Sequence, residues 1–203
     1  MLERGTVKEL IDQSLSKGIF GEGFEFRAGQ REVIEAICNH YIEDPQGTII
    51  LDAPTGSGKS LIAMWSSHIL KEMGKRGYLV TSDLMLQDQY EEDFKRLKLN
   101  WPSIRGVDNY TCDVNDLPFS LGDCKMKGMG YEQAEKLKCW GTCGYLQGRR
   151  RAKELPVALF NYSYYLIQRN YVEDKMQEQD REVPFPIRDF VFFDEAHKVD
   201  SIV

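Results

Sequence analysis

The chain has 203 residues, 42% hydrophobic and 29% charged, with a net charge of −6 at neutral pH. This is enough apolar material for one domain with a sizeable core and a small insertion, and it excludes a disordered or low-complexity chain. No apolar run approaches the about 20 residues that span a bilayer, and "MLERGTVKEL" lacks the apolar core of a signal peptide, so an intracellular protein with no membrane partner is expected. Acidic balance argues against blanket attraction to nucleic acid but leaves room for a local basic groove.

Taken in order, residues 6–16 read as a short helix, and "FEFRAGQREVIEAICNHYIE" sets Val33, Ile34, Ile37 and Tyr41 at helical spacing behind an aromatic entry. "PQG" turns the chain into "TIILDAP", read as a buried strand, and a helix follows from Gly58 to about Met73, closed by Gly74 and Gly77. "YLVTS" is the next strand and Leu84 to Leu97 an amphipathic helix. Strand alternating with helix implies a parallel sheet. From residue 107 to about 150 the alternation breaks: four cysteines, six glycines and one short helical pattern, "YEQAEKLK", mark an insertion. It resumes with "LPVALFN" as a strand, "YSYYLIQRN" as a helix, a polar stretch to Arg188 and a last strand, Phe190 to Phe193.

"APTGSGKS", residues 53–60, lies between a strand and a helix, the context a phosphate-binding loop requires. Glycines let backbone N–H groups surround phosphate oxygens, a lysine neutralises the terminal phosphates, and the next hydroxyl coordinates magnesium. Those roles fall to Gly56, Gly58, Lys59 and Ser60, with Thr55 and Ser57 completing the loop; Ala53 stands where the strict pattern has its first glycine. "DEAH", residues 194–197, follows the last strand. Alone it is a weak signal. Beside a phosphate-binding loop, Asp194 becomes the second anchor for magnesium bridging nucleotide phosphates, and Glu195 the group that orients or deprotonates the attacking water.

Five cysteines without a secretion signal are reduced thiols or metal ligands rather than disulfides. Cys38, on the helix before the loop, reads as core. Cys112, Cys124, Cys139 and Cys143 share the insertion, which holds no histidine, so a four-coordinate metal bound there alone is held by thiolates throughout. Only one close pair exists among them, whereas zinc modules usually present two. The insertion and the residues just after it, to Glu154, carry eight cations, among them Lys125, Lys127 and the tight cluster "GRRRAK", interleaved with Tyr131, Trp140 and Tyr145 and balanced by seven acids. Cations on phosphates and rings under bases hold single strands without reading sequence, which makes Arg149, Arg150 and Arg151 the best candidates for phosphate contacts.

"FRAGQ", "APTGSGKS", "TSDLMLQDQ", "VDNYTC" opening the cysteine insertion, "FNYSYYL" and "FFDEAH" occur in an order that resembles the superfamily 2 DNA helicases of the XPD/DinG type, over about residues 24–198. The resemblance implies an α/β fold: the first RecA-like P-loop domain of a motor, divided into residues 1–106, a four-cysteine iron–sulfur insertion at 107–150, and a continuation at 151–203. It implies adenine recognition by Arg27 and Gln30, contacts of Thr81 and Gln87 with single-stranded DNA, and a link from His197 between nucleotide state and domain movement. It further implies ATP and Mg2+ as cofactors, a [4Fe-4S] cluster on the four cysteines with Zn2+ as the alternative, and 5'-to-3' translocation.

The expectation is therefore the N-terminal motor portion of an ATP-dependent DNA helicase, cytoplasmic or nucleoid-associated. It would act on single-stranded DNA or duplex–single-strand junctions, with a second RecA-like domain in a missing C-terminal part or a separate chain. By this expectation the fold is incomplete at the C-terminus, and the portion alone is inactive. The alternatives are a truncated nucleotide- and DNA-binding module without turnover, and a zinc-bearing ATPase that acts on RNA or remodels a complex.

Overall fold

Four short apolar segments assemble the sheet. In a computed structural model that describes residues 4–126, 128, 133, 136–169 and 185–201, Gly77–Thr81 (β1), Ser103–Ile104 (β2), Val157–Asn161 (β3) and Phe190–Phe193 (β4) run parallel in the order β2-β3-β1-β4. Register pairs Gly77 with both Val157 and Phe190, so the carboxyl ends of β1, β3 and β4 arrive together at Thr81, Asn161 and Asp194. Open parallel sheets put ligands at that edge. Gly77 has a local reason: a Cβ there would collide with the Phe190 ring.

Side-chain alternation sorts the sheet's two faces. Leu79, Val157, Leu159 and Phe190 join one core, under Arg4–Ser16 (α1), Gln30–Glu43 (α2), Lys59–Glu72 (α3) and part of Leu84–Arg96 (α4). Tyr78, Val80, Ala158 and Phe160 join the other, with Gly144–Glu154 (here α6, after the four-residue α5 at Asp123–Met126), Tyr162–Ile167 (α7) and the cysteine segment. This is the doubly wound α/β arrangement expected of a RecA-like P-loop domain. Two helices begin at side-chain caps: Asp83 accepts from Leu86 N at the start of α4, and Asn161 from Tyr164 N at the start of α7.

Two differences from the sequence reading concern the sheet. Residues 48–54, expected as a buried strand, form none: no described strand pairs with them, and Ile50 is 89% exposed. An apolar run becomes a strand only when a neighbour takes up its backbone N–H and C=O groups, and periodicity cannot report the neighbour. Conversely, Ser103–Ile104 is a strand too short to show a pattern, made by pairing with Leu159 and Phe160. Half of the expected helix "YEQAEKLK", with Lys127, Tyr131 and residues 170–184, lies outside the described residues.

The helical layer closes around Trp65, wholly buried, which stacks on Phe20 at 4.1 Å and meets Phe26 at 4.9 Å. Beside it His68 bonds Ser14 across α1 and α3 at 2.9 Å. Ser14 gives its one hydroxyl proton to Leu10 O, so His68 Nε2 is the donor. Burial lowers the His68 pKa to about 4 from an ordinary 6.5, against a smaller upward pull from Glu72. The imidazole is thus folded neutral, and its contribution is complete above about pH 6.5 and lost as pH falls through about 4. Thermal melting from pH 7 to pH 4 should show a loss on the order of 3 kcal/mol that His68→Gln removes; equal pH dependence in both proteins would disprove it.

Candidate active site

The loop between residues 53 and 60 obtains its shape from two glycines in left-handed conformation, Gly56 at φ 82° and Gly58 at φ 85°. Gly58 turns the chain into α3, so the first free N–H groups of that helix open toward the loop. Two residues, one just ahead of α2 and one at its start, hold the loop from behind. Gln30, buried, donates through Nε2 to Ser57 O at 2.9 Å and accepts from Arg27 N; the exposed Arg27 guanidinium donates to Gly56 O at 2.9 Å. Thr55 is exposed on the loop, and Lys59 Nζ donates to Ala53 O at 3.0 Å, within the loop it would leave to meet phosphate.

Across the sheet edge the acidic motif closes the site. Ser60 Oγ donates to Asp194 Oδ2 at 2.9 Å, bringing together residues 134 positions apart. Tyr90 OH, from α4, donates to the same oxygen at 2.8 Å, and Tyr162 OH donates to the Asp194 carbonyl at 3.0 Å. Asp194 N continues the β4 pairing by donating to Val80 O. Burial foremost, and next the Asp194 charge, raise the Tyr90 phenol well above its ordinary range, so it stays protonated and donates. Glu195 takes a left-handed φ of 57°, uncommon without a glycine, and its Oε2 lies 3.4 Å from His197 Nε2. Arg27, Gln30, Gly56, Lys59, Asp194 and Glu195 line one cleft of about 560 Å³, the size of a small-molecule site.

The other expected residues divide. Thr81 and Gln87 are wholly buried: Thr81 bonds Asp83 O, while Gln87 donates to Ser103 Oγ and Ile104 O and accepts from Asn161. Arg150 and Arg151 are exposed on α6, bonded to Glu154 and Asn100, and Arg149 lies over the Tyr145 and Phe185 rings. Sequence reasoning missed Tyr90 and Tyr162, whose hydroxyls meet the acidic motif, and the pairing of Lys198 with Asp83 at 3.5 Å. Helical spacing marks Tyr90 as core, and nothing in the spacing marks its hydroxyl.

Of the four insertion cysteines, Cys112, Cys124 and Cys143 are buried and Cys139 is half-buried. Cys143 N donates to Cys139 O at 2.8 Å, placing that pair in one turn at the start of α6, and Gly122 leaves room beside Cys112 Sγ. Burial first, then the neighbouring Cys112 and Cys124, raise the Cys139 thiol. The donor chemistry suits an iron–sulfur cluster or zinc, yet among the described residues no three ligating side chains stand together at metal-binding distance. Cys38 is core as expected, its thiol pushed up to about 12 by burial.

Gly58 is the loop's least replaceable position, since a Cβ there would stand 2.5 Å from Gln30 Nε2 on backbone already left-handed. Gly58→Ala should abolish measurable nucleotide binding and cost roughly 1–3 kcal/mol of stability. Gly74→Ala has comparable φ and open space, and should cost stability alone. Calorimetric titration with ATP and thermal melting of both variants check this, and retained binding in Gly58→Ala would refute it.

Comparison with known proteins bears on the site as a whole. No curated protein sequence gave a significant match. A solved structure described as "Truncated XPD" is similar over 87% of this chain at 20% sequence identity and a TM-score of 0.47. The chain spans only 55% of that structure's length. No helix among the described residues is long and apolar enough to cross a membrane. A family model described as "Type III restriction enzyme, res subunit" matches residues 23–201, from the aromatic entry through the phosphate-binding loop to the acidic motif. The chain belongs to that helicase family, as a RecA-like P-loop motor domain.

Proposed function

We propose that the chain is the nucleotide-binding half of an ATP-dependent DNA helicase motor of the XPD/DinG type. The 2.9 Å bond from Ser60 Oγ to Asp194 Oδ2 carries this reading. It joins the two groups that a magnesium ion on the β- and γ-phosphates requires, at the carboxyl edge of a parallel sheet. ATP would enter the cleft with its phosphates against the N–H groups of Gly56 to Ser60 and with Lys59 turned from Ala53 O to the terminal phosphate. Its base would lie on the side of Arg27 and Gln30. Magnesium supplies charge neutralisation there; Ser60 and Asp194 would hold it, and Glu195, kept in its left-handed turn, would orient the attacking water.

His197, beside the Glu195 carboxylate, would sense the nucleotide and pass its state to a second RecA-like domain, from another part of a longer chain or a separate chain. Such a domain contributes the arginine that is worth about 10³ to 10⁵ in rate. DNA strands, or their junctions with duplex, would meet the exposed Arg150 and Arg151, with Arg149 steadied on its rings. Buried Thr81 and Gln87 would shape the strand-end surface on which the DNA rests. A strand passing 5'-to-3' across that surface is the direction this reading carries, in a cytoplasmic or nucleoid-associated enzyme.

The chain alone should bind Mg-ATP weakly and show no DNA-stimulated hydrolysis, because the arginine is supplied elsewhere; adding the remaining motor domain should restore turnover, abolished by Glu195→Gln. Phosphate release with and without single-stranded DNA and RNA decides the matter. Robust DNA-stimulated turnover by the chain alone would overturn the half-site reading, and preference for RNA would favour the RNA or remodelling alternative.

The four insertion cysteines are proposed as ligands of a [4Fe-4S] cluster, Zn2+ being the alternative. Support comes from an all-thiol donor set, three of its members buried and one half-buried. Chain purified without oxygen should be brown, with iron and sulfide in stoichiometric amount, and Cys139→Ser should bleach it and loosen the insertion. Colourless protein with stoichiometric zinc would exclude the cluster.

A further inference from the structure

One oxygen of Asp194 does two jobs. Its Oδ2 accepts from Ser60 Oγ at 2.9 Å and from Tyr90 OH at 2.8 Å, whereas Oδ1 accepts no hydrogen bond among the described residues. A carboxylate held twice through one oxygen cannot rotate freely about its Cβ–Cγ bond, so the other oxygen keeps one direction. Tyr90 is suited to that task, being 2% exposed and held by the Phe94 ring at a centroid distance of 5.9 Å. Its helix is pinned one turn earlier, where Gln87 bonds the ends of β2 and β3. At its start Asp83 caps the helix and meets Lys198 from beyond the acidic motif.

We infer that Tyr90 is a positioning residue for the magnesium ion of the nucleotide site: its phenol occupies Oδ2 of Asp194 and leaves Oδ1 to the cation or to a water the cation holds. The inference rests on the nucleotide reading of the cleft. Its physical content is that α4, fastened to β2 and β3 by Gln87, delivers a buried hydroxyl to the end of β4. A displacement of α4 at Gln87 therefore alters the hydrogen bonding of Asp194. A buried phenol has no water to fall back on, so losing this acceptor is costly and the contact is strongly preferred.

The test measures binding of a fluorescent ATP analogue to the full chain, with magnesium titrated and with magnesium chelated. Tyr90→Phe keeps the ring and removes the hydroxyl. It should raise the half-saturating magnesium concentration about tenfold, equivalent to about 1.4 kcal/mol, while leaving affinity for the metal-free nucleotide unchanged. Gly74→Ala, which costs stability away from α4 and keeps the phenol, should lower the melting temperature without altering the magnesium requirement. An unchanged magnesium requirement in Tyr90→Phe, or equal losses with and without the ion, would overturn the inference and leave the nucleotide reading standing. Absence of magnesium-dependent binding in the unsubstituted chain would overturn both. A measurement that does not depend on the variant's folding uses the unsubstituted chain labelled with ¹³C at tyrosine Cζ. Magnesium added to the nucleotide complex should shift the resonance assigned to Tyr90 by its proximity to Phe94; a resonance that stays in place also overturns the inference.

Discussion

Asp194 is where the architecture is tied together. Its N–H extends β4 onto β1, its carbonyl receives Tyr162 from α7, and its carboxylate receives Ser60 from α3 and Tyr90 from α4. Four elements far apart in the chain therefore converge on one residue, and each contact uses a different atom or lone pair. A partly buried carboxylate is stable only when it is so satisfied, which makes the site and the fold mutually dependent. The end of β4 can stand opposite the phosphate-binding loop only because α3 and α4 lie over the same face of the sheet.

That placement follows from the alternation of strand side chains. β1 and β3 are buried on both faces, and successive residues belong to different cores. The helical face, built around Trp65 and its aromatic neighbours, supports the loop through α2 and α3. The opposite face is shared with the cysteine segment: Cys124 and Cys143 pack in the same cluster as Val80 and Phe160, residues of the strands that end at the candidate site. A change in the packing of the insertion is therefore felt at the sheet directly, because close-packed interiors transmit strain.

Family membership was legible in the order of short motifs, and the roles expected of Gly56, Lys59, Ser60, Asp194 and Glu195 rest on residue types and spacing. Placement decided the rest. Thr81 and Gln87, expected at the DNA, are enclosed, with Gln87 committed to three polar partners. A glutamine on the face of an amphipathic helix reads as exposed; it is buried here because β2, a two-residue strand invisible to pattern, passes beside it. Arg150 and Arg151 are exposed as their charge suggests, yet each already bonds within the chain.

The sequence by itself determined that strands alternate with helices, that a glycine-rich loop opens α3, and that two carboxylates follow the last strand. These are local properties, set by side-chain periodicity, conformational freedom and charge over a few residues. Only the tertiary structure decided that residues 48–54 pair with no described strand, that Tyr90 reaches Asp194, and that Cys124 and Cys143 pack into the second core. Each depends on which segments become neighbours across tens to more than a hundred residues of chain. Strand pairing, and the hydrogen bond of a buried hydroxyl, require a partner that local pattern does not specify.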